Sequence, residues 1–134
     1  AQWLENLGVE IPWQMLPWRE YIERMDNDPP HLFQFGWMAD YPDPDSFLRT
    51  GNIQQRTRWQ DDTYDDLVEK ARRVLEQYER LRLYEEADRI LINETVIIPL
   101  TYSWSHILVK PWIRKFPASA LNQWLWKDIL VEKE

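Results

Sequence analysis

The sequence contains no cysteine, which removes disulfides, thiolate catalysis and cysteine-based zinc sites together. Its three glycines stand apart from one another, so no glycine-rich loop is available to cradle a phosphate or pyrophosphate. Positive charge is in deficit: 16 Lys and Arg against 23 Asp and Glu leave a formal net charge of -7, and no basic block reaches five residues. Binding to a nucleic-acid backbone needs the opposite balance, so nucleic acid is set aside as a partner. Long apolar runs are missing too, with none near the roughly 20 residues that span a bilayer. The first residues show no basic n-region followed by an apolar h-region, so no signal peptide is expected within them; either one was removed or the chain is a piece of something longer. Only two histidines occur, His31 and His106, far apart and each beside apolar neighbours, which favours structural roles over catalysis or metal binding. No nucleophile elbow is present, and nothing in the chain calls for a cofactor.

What remains is a 134-residue chain, 44% apolar, with room for one domain and a modest core. Nine Trp and six Tyr are its compositional signature. Tryptophan serves cores, interfaces and ligand pockets alike, and most of these are expected in the core. The opening, Ala1 to Gly8, resembles the last turns of a helix ending at a glycine cap, with no helix start before it. A domain rarely begins there, and a piece of a longer protein is expected.

Along the chain, Val9 to Ile11 and Trp13 to Leu16 alternate loosely and predict a strand. Pro17 fits a first helical turn, and Trp18, Tyr21, Ile22 and Met25 recur at helical spacing until Asp28-Pro29-Pro30 stops them. Leu32 to Trp37 reads as a buried strand, so strand, helix and strand together imply a crossover unit in a parallel or mixed sheet. Asp40-Tyr41-Pro42-Asp43-Pro44-Asp45 is a stiff acidic loop, with Pro44 placed to start a short helix carrying Phe47 and Leu48. The polar stretch 51–62 is expected to be a loop.

Two helices should follow. The first is capped by Asp62 or Thr63 and buries Leu67, Ala71, Val74 and Leu75; the second buries Leu81, Tyr84, Ala87, Ile90 and Leu91. Glu69–Arg73, Glu76–Arg80 and Glu85–Arg89 stand at i,i+4 and predict solvated helix faces. Val96 to Tyr102, His106 to Val109 and Ile129 to Val131 are strand-prone. Asn93-Glu94-Thr95 matches a glycosylation acceptor but falls at a helix end, where it is taken as coincidence. The coarse class is α/β.

The acidic cluster Asp40, Asp43 and Asp45 is the one candidate for chemistry. Calcium binding fails on the missing glycine of the EF-hand pattern. Paired carboxylates for glycoside hydrolysis are an alternative, using Asp40 with Asp43, beside a glycan-binding module built on Trp platforms. Asp43 and Asp45 otherwise serve to cap turns and the helix near Pro44. Asp40 follows an apolar run, so its carboxylate is expected at the end of a buried strand, where a charged group needs a cation partner such as a ligand ammonium.

Gly36-Trp37-Met38-Ala39-Asp40-Tyr41-Pro42-Asp43-Pro44-Asp45-Ser46-Phe47-Leu48 closely resembles a signature segment of the family 5 extracellular solute-binding proteins, the oligopeptide and dipeptide binders. Tyr64 to Val68, then Arg82, Tyr84, Ala87 and Leu91, are similar to two helix blocks of that family, and Ile98-Pro99-Leu100 and Leu108-Val109-Lys110-Pro111-Trp112 to two further segments, in the family's order. The resemblance implies part of the C-terminal lobe of a two-lobed periplasmic-binding-protein fold, a mixed sheet with flanking helices. Residues 1–134 would be that partial lobe, with about 110–134 as the tail returning to the other lobe. It implies a non-enzyme that captures peptides or related solutes and delivers them to an ABC permease, in the periplasm or outside the cell, membrane-associated in Gram-positive-type bacteria. It places Asp40 on the peptide ammonium and Trp37, Tyr102 and Trp104 along the ligand pocket. Arg56, Arg58 and Trp59 stand where the family has an Asn-rich loop containing Gly-Tyr, which leaves the ligand open. A lobe cut from its other half exposes apolar surface, so the isolated chain is expected to self-associate.

Overall fold

The computed structural model describes residues 2–104, 106–117, 119, 121 and 123–132. The chain divides into two units, Ala1–Gln34 and Phe35–Glu134. In the first, helix α1 (Gln2–Leu7) ends at Gly8, whose φ of 66° is the left-handed cap expected from the sequence; its N–H donates to the Leu4 carbonyl at 3.0 Å. Helix α2 (Trp18–Asn27) starts behind Pro17 and buries Met25. Trp18 and Tyr21 stack on it at 5.8 Å, and the Tyr21 hydroxyl donates to the Gln34 carbonyl at 2.7 Å.

The second unit is built around four helices: α3 (Asp45–Leu48), α4 (Thr50–Thr57), α5 (Asp62–Arg73) and α6 (Gln77–Asn93). Helices α5 and α6 pack together, and the core between the helices is Leu48, Ile53, Tyr64, Val68, Ala71, Leu83, Tyr84, Ala87 and Leu91. The Tyr64 hydroxyl is buried and donates to the Leu48 carbonyl at 2.5 Å, which fixes the start of α5 against the end of α3.

Several details depart from the sequence expectation. The cap of α5 is Asp61, whose carboxylate accepts from the Tyr64 N–H at 2.6 Å, one position before the residues expected to cap it. Stretch 51–62 is not a loop throughout. Helix α4 occupies most of it, because Ile53 is buried against the core and Gln54 donates to both oxygens of Asp65 at 2.9 and 3.0 Å. It stops at Arg58, whose φ of 57° is left-handed. Leu75 lies past the end of α5 and is 99% exposed, so the buried stripe runs through Tyr64, Val68 and Ala71 instead. Leu81 is also exposed, and Leu83 takes its place in the core.

The strands differ most. Among the described residues the sheet consists of β1 (Ile113–Lys115) and β2 (Leu130–Val131), antiparallel, with Ile113 opposite Val131 and Lys115 opposite Leu130. A larger mixed sheet does not form there. The segments expected as strands at 9–16, 32–37, 96–102 and 106–109 are irregular; Ser105 lies between them outside the described residues. A strand exists only through a partner that satisfies its N–H and C=O groups, and the pattern within a segment cannot supply that partner. The tryptophans depart as well: Trp59 and Trp124 are half-buried and the other seven are exposed. The helix interface is filled by Leu, Ile, Val, Ala and two Tyr, which leaves most of the broad indoles to cover surface.

Candidate functional site

The site grows from the Asp40–Leu48 turn. Asp43 Oδ1 accepts from the Asp45 N–H at 2.9 Å, closing an Asx-type turn that launches α3 from Pro44. The same carboxylate takes two hydrogen bonds from the Arg80 guanidinium, on α6, one of them from Nη2 at 2.7 Å. Those bonds hold the Asp43 carboxyl below the usual carboxylate range. Arg80 is thereby committed to a buried-side ion pair, not to Glu76 as its spacing suggested; Glu76 instead caps α6 through the Tyr78 and Glu79 N–H groups.

Asp45 is 4% exposed and is the hub of the turn. It accepts from the Tyr41 hydroxyl at 2.6 Å, from Arg49 Nη2 at 2.5 Å and from the Tyr84 hydroxyl at 3.2 Å, with Arg72 Nε 3.6 Å away. Burial pushes the Asp45 carboxyl up, but the Tyr41 and Arg49 donors outweigh it and hold the group below its ordinary range. Burial and the Asp45 charge push the Tyr84 phenol up to about 12. Asp45 therefore acts as a structural anion, with more partners than the turn cap foreseen for it. Asp43, kept ionised by Arg80, is in the wrong protonation state for the general acid that the glycosidase alternative requires.

Asp40 is treated differently by its neighbours. Its N–H donates to the buried Ser46 Oγ at 2.8 Å, and its carbonyl accepts from Gln123 Nε2 at 3.4 Å. The backbone is clamped on both sides while the carboxylate, exposed, forms no hydrogen bond or ion pair among the described residues. It does not lie at the end of a buried strand: the run before it is irregular, and Trp37 and Met38 are exposed. Trp37, 41% exposed, stacks on Phe35 at 6.2 Å. Tyr102 and Trp104 are 95% and 88% exposed and make no ring contact or hydrogen bond among the described residues, so the structure does not bring them to Asp40. Ser46, Gln123 and Arg80 are the site residues that sequence reasoning missed. A depression lined by Asp66, Glu69, Lys70, Arg73 and Val74 lies on the charged face of α5 and includes none of these groups. His31 and His106 are exposed.

Curated proteins are similar in sequence to this chain. The chain is 28% identical over 114 residues to the periplasmic oligopeptide-binding protein OppA of Salmonella typhimurium, covering 83% of this chain and 21% of that protein. It is 34% identical over 100 residues to the dipeptide-binding protein DppE of Bacillus subtilis, covering 72% and 18% respectively. The chain belongs to the family 5 extracellular solute-binding proteins. A dipeptide-binding protein of Pseudomonas aeruginosa is likewise 34% identical over 109 residues, 77% of this chain and 20% of the relative. The chain thus spans about a fifth of the length of the curated relatives it matches. No protein-family model matches it.

Helices α5 and α6 form a platform, and Asp43 and Asp45 pin the turn carrying Asp40 to it through Arg80, Tyr84 and Arg72.

Proposed function

We propose that the chain takes part in extracytoplasmic capture of peptides for import, with Asp40 receiving the ligand's N-terminal ammonium. The observation that carries this reading is the contrast within one turn: Asp43 and Asp45 are consumed by arginines and tyrosines, while Asp40 has a clamped backbone and a carboxylate with no partner among the described residues. A fixed, unpaired anion is suited to a cationic ligand group, because its geometry is set before binding. The relatives' names supply the ligand class, since they are named for oligopeptide and dipeptide binding.

In this reading the chain forms part of the C-terminal lobe of a two-lobed binding protein, with residues from about 110 onward returning toward the other lobe. Trp37 lines a side-chain pocket, and Tyr102 and Trp104 turn toward the ligand when the lobes close. The loaded protein hands the peptide to an ABC permease without chemical change to it. The site of action is the periplasm or the cell exterior, with membrane attachment in bacteria of the Gram-positive type. Tests of this reading use a full-length protein carrying this segment: trialanine should quench or shift Trp fluorescence on binding and be recovered intact by mass spectrometry. Cleavage of the peptide, or retardation on polysaccharide with no response to peptide, would overturn it.

A further inference from the structure

Thr95 has a φ of 58°, in the left-handed backbone region, one residue past the Glu94 cap of α6. That region suits glycine, and a β-branched residue there persists only where its surroundings impose it. Here the imposing bonds are those of a Schellman cap. The Thr95 N–H donates to the Ile92 carbonyl at 3.1 Å and the Val96 N–H to the Leu91 carbonyl at 2.9 Å. Val96 packs against the helical core that contains Leu91. The chain therefore leaves α6 in one direction, as the irregular residues 96–104 that carry Tyr102 and Trp104.

The cap is also held from outside its helix. Trp59, just past α4, donates from Nε1 to Glu94 Oε2 at 2.8 Å. Trp59 is itself fixed: its N–H donates to Thr57 Oγ1 at 3.2 Å behind the left-handed Arg58, and its ring meets Tyr64 edge-on at 5.2 Å. The Tyr64 hydroxyl donates to the Leu48 carbonyl, at the end of the short helix that the Asp40 turn launches. Contacts through Leu48, Tyr64, Trp59 and Glu94 thus join the acidic turn to the root of the segment bearing Tyr102. An exposed hydrogen bond adds little stability and a strained cap subtracts some, so their combined effect is to fix a direction. We propose that Trp59, Glu94 and Thr95 are positioning residues for ligand capture, setting where 96–104 leaves α6 and thereby where Tyr102 meets the solute. This inference rests on the peptide-capture reading, in which Asp40 and Tyr102 serve the same ligand.

The test measures melting temperature and the binding of trialanine and N-acetyl-trialanine on a full-length protein carrying this segment. The variants are T95G, W59F and Y102A, with each of the first two also combined with Y102A. T95G removes the strained Cβ while freeing the backbone, so melting temperature should hold or rise as trialanine binding weakens. W59F keeps a ring and loses the donor, and should weaken binding by about two- to tenfold, the scale of one hydrogen bond. In the Y102A background both losses should vanish, because effects transmitted through one side chain do not add. The preference for the free amine should stay in T95G and W59F, since it reports on Asp40. If T95G and W59F shift only the melting temperature and bind trialanine as the wild type does, the role is structural and the inference is wrong. Losses that persist undiminished in the Y102A background also overturn it. If the wild type binds neither peptide, the peptide-capture reading fails and this inference falls with it.

Discussion

Arg80 and Asp43, thirty-seven residues apart, join through two hydrogen bonds, with Arg80 Nη2 donating to Asp43 Oδ1 at 2.7 Å. Five residues before Arg80, Leu75 is bare; at the pair itself, α6 grips the turn that carries Asp40. The two side chains are about a quarter exposed, so the pair is neither a fully screened surface contact nor a fully desolvated one. Its consequence is geometric: the acidic turn cannot move independently of the helix pair.

Replacing Asp45 by Asn is the most direct way to loosen that turn. The side chain is almost completely buried, and its loss of charge leaves Arg49, Arg72 and two tyrosine hydroxyls facing a neutral amide. A destabilisation of about 2–3 kcal/mol is expected, on the scale of a charge-assisted hydrogen bond lost within a network. Urea unfolding of the full-length protein carrying the segment measures it. A variant as stable as the wild type would show that the network contributes no net stability.

Acid should act on the same residues. The Asp43 and Asp45 carboxyls lie below their ordinary range when folded, so their contribution is complete above the unfolded carboxylate value near 3.9 and is lost as pH falls through the lower folded values. Tyr84 has the opposite sign: its raised pKa of about 12 means stability is complete below about pH 10 and declines as pH rises through 12. Melting temperature against pH should therefore be flat for these groups from pH 5 to 9 and fall on both sides, and D45N should flatten the acid limb. An acid limb unchanged in D45N would contradict the assignment.

The helical half of the fold was legible in the sequence because the information is local. Gly8 as a left-handed cap, Pro17 before α2, Pro44 before α3 and the 3.6-residue spacing of Tyr84, Ala87 and Leu91 all act within a few residues. Of the expected strands only Ile129 to Val131 forms, as β2; Val96 to Tyr102 has strand composition but no strand partner among the described residues, and its Val96 and Ile97 N–H groups donate to the Leu91 carbonyl instead. Arg80 shows the same limit at the site. At i,i+4 from Glu76 it resembles any solvated pair, and only the tertiary approach of Asp43 gives it another partner. Asp40 was singled out by the apolar run before it and by the likeness of its segment to the family; Ser46 and Gln123, which clamp its backbone, carried no local signal.

The isolated 134-residue chain should self-associate. Ile98, Leu100, Tyr102 and Trp104 are exposed along the irregular residues 96–104, and Leu108 along 106–109, and strand-prone backbone without a strand partner among the described residues pairs with another copy. Sedimentation velocity over a range of concentrations should show species larger than the monomer. A monomer at the highest concentration would count against it.

The central claim is that Asp40 holds a ligand ammonium, and titration of the full-length protein with trialanine and N-acetyl-trialanine, as wild type and as D40N, tests it most directly. The account predicts that the wild type favours the free amine by about 1.5–3 kcal/mol, roughly 10- to 150-fold, and that D40N loses the preference without losing the fold. Equal binding of free and acetylated peptide by the wild type, or an undiminished preference in D40N, would contradict it.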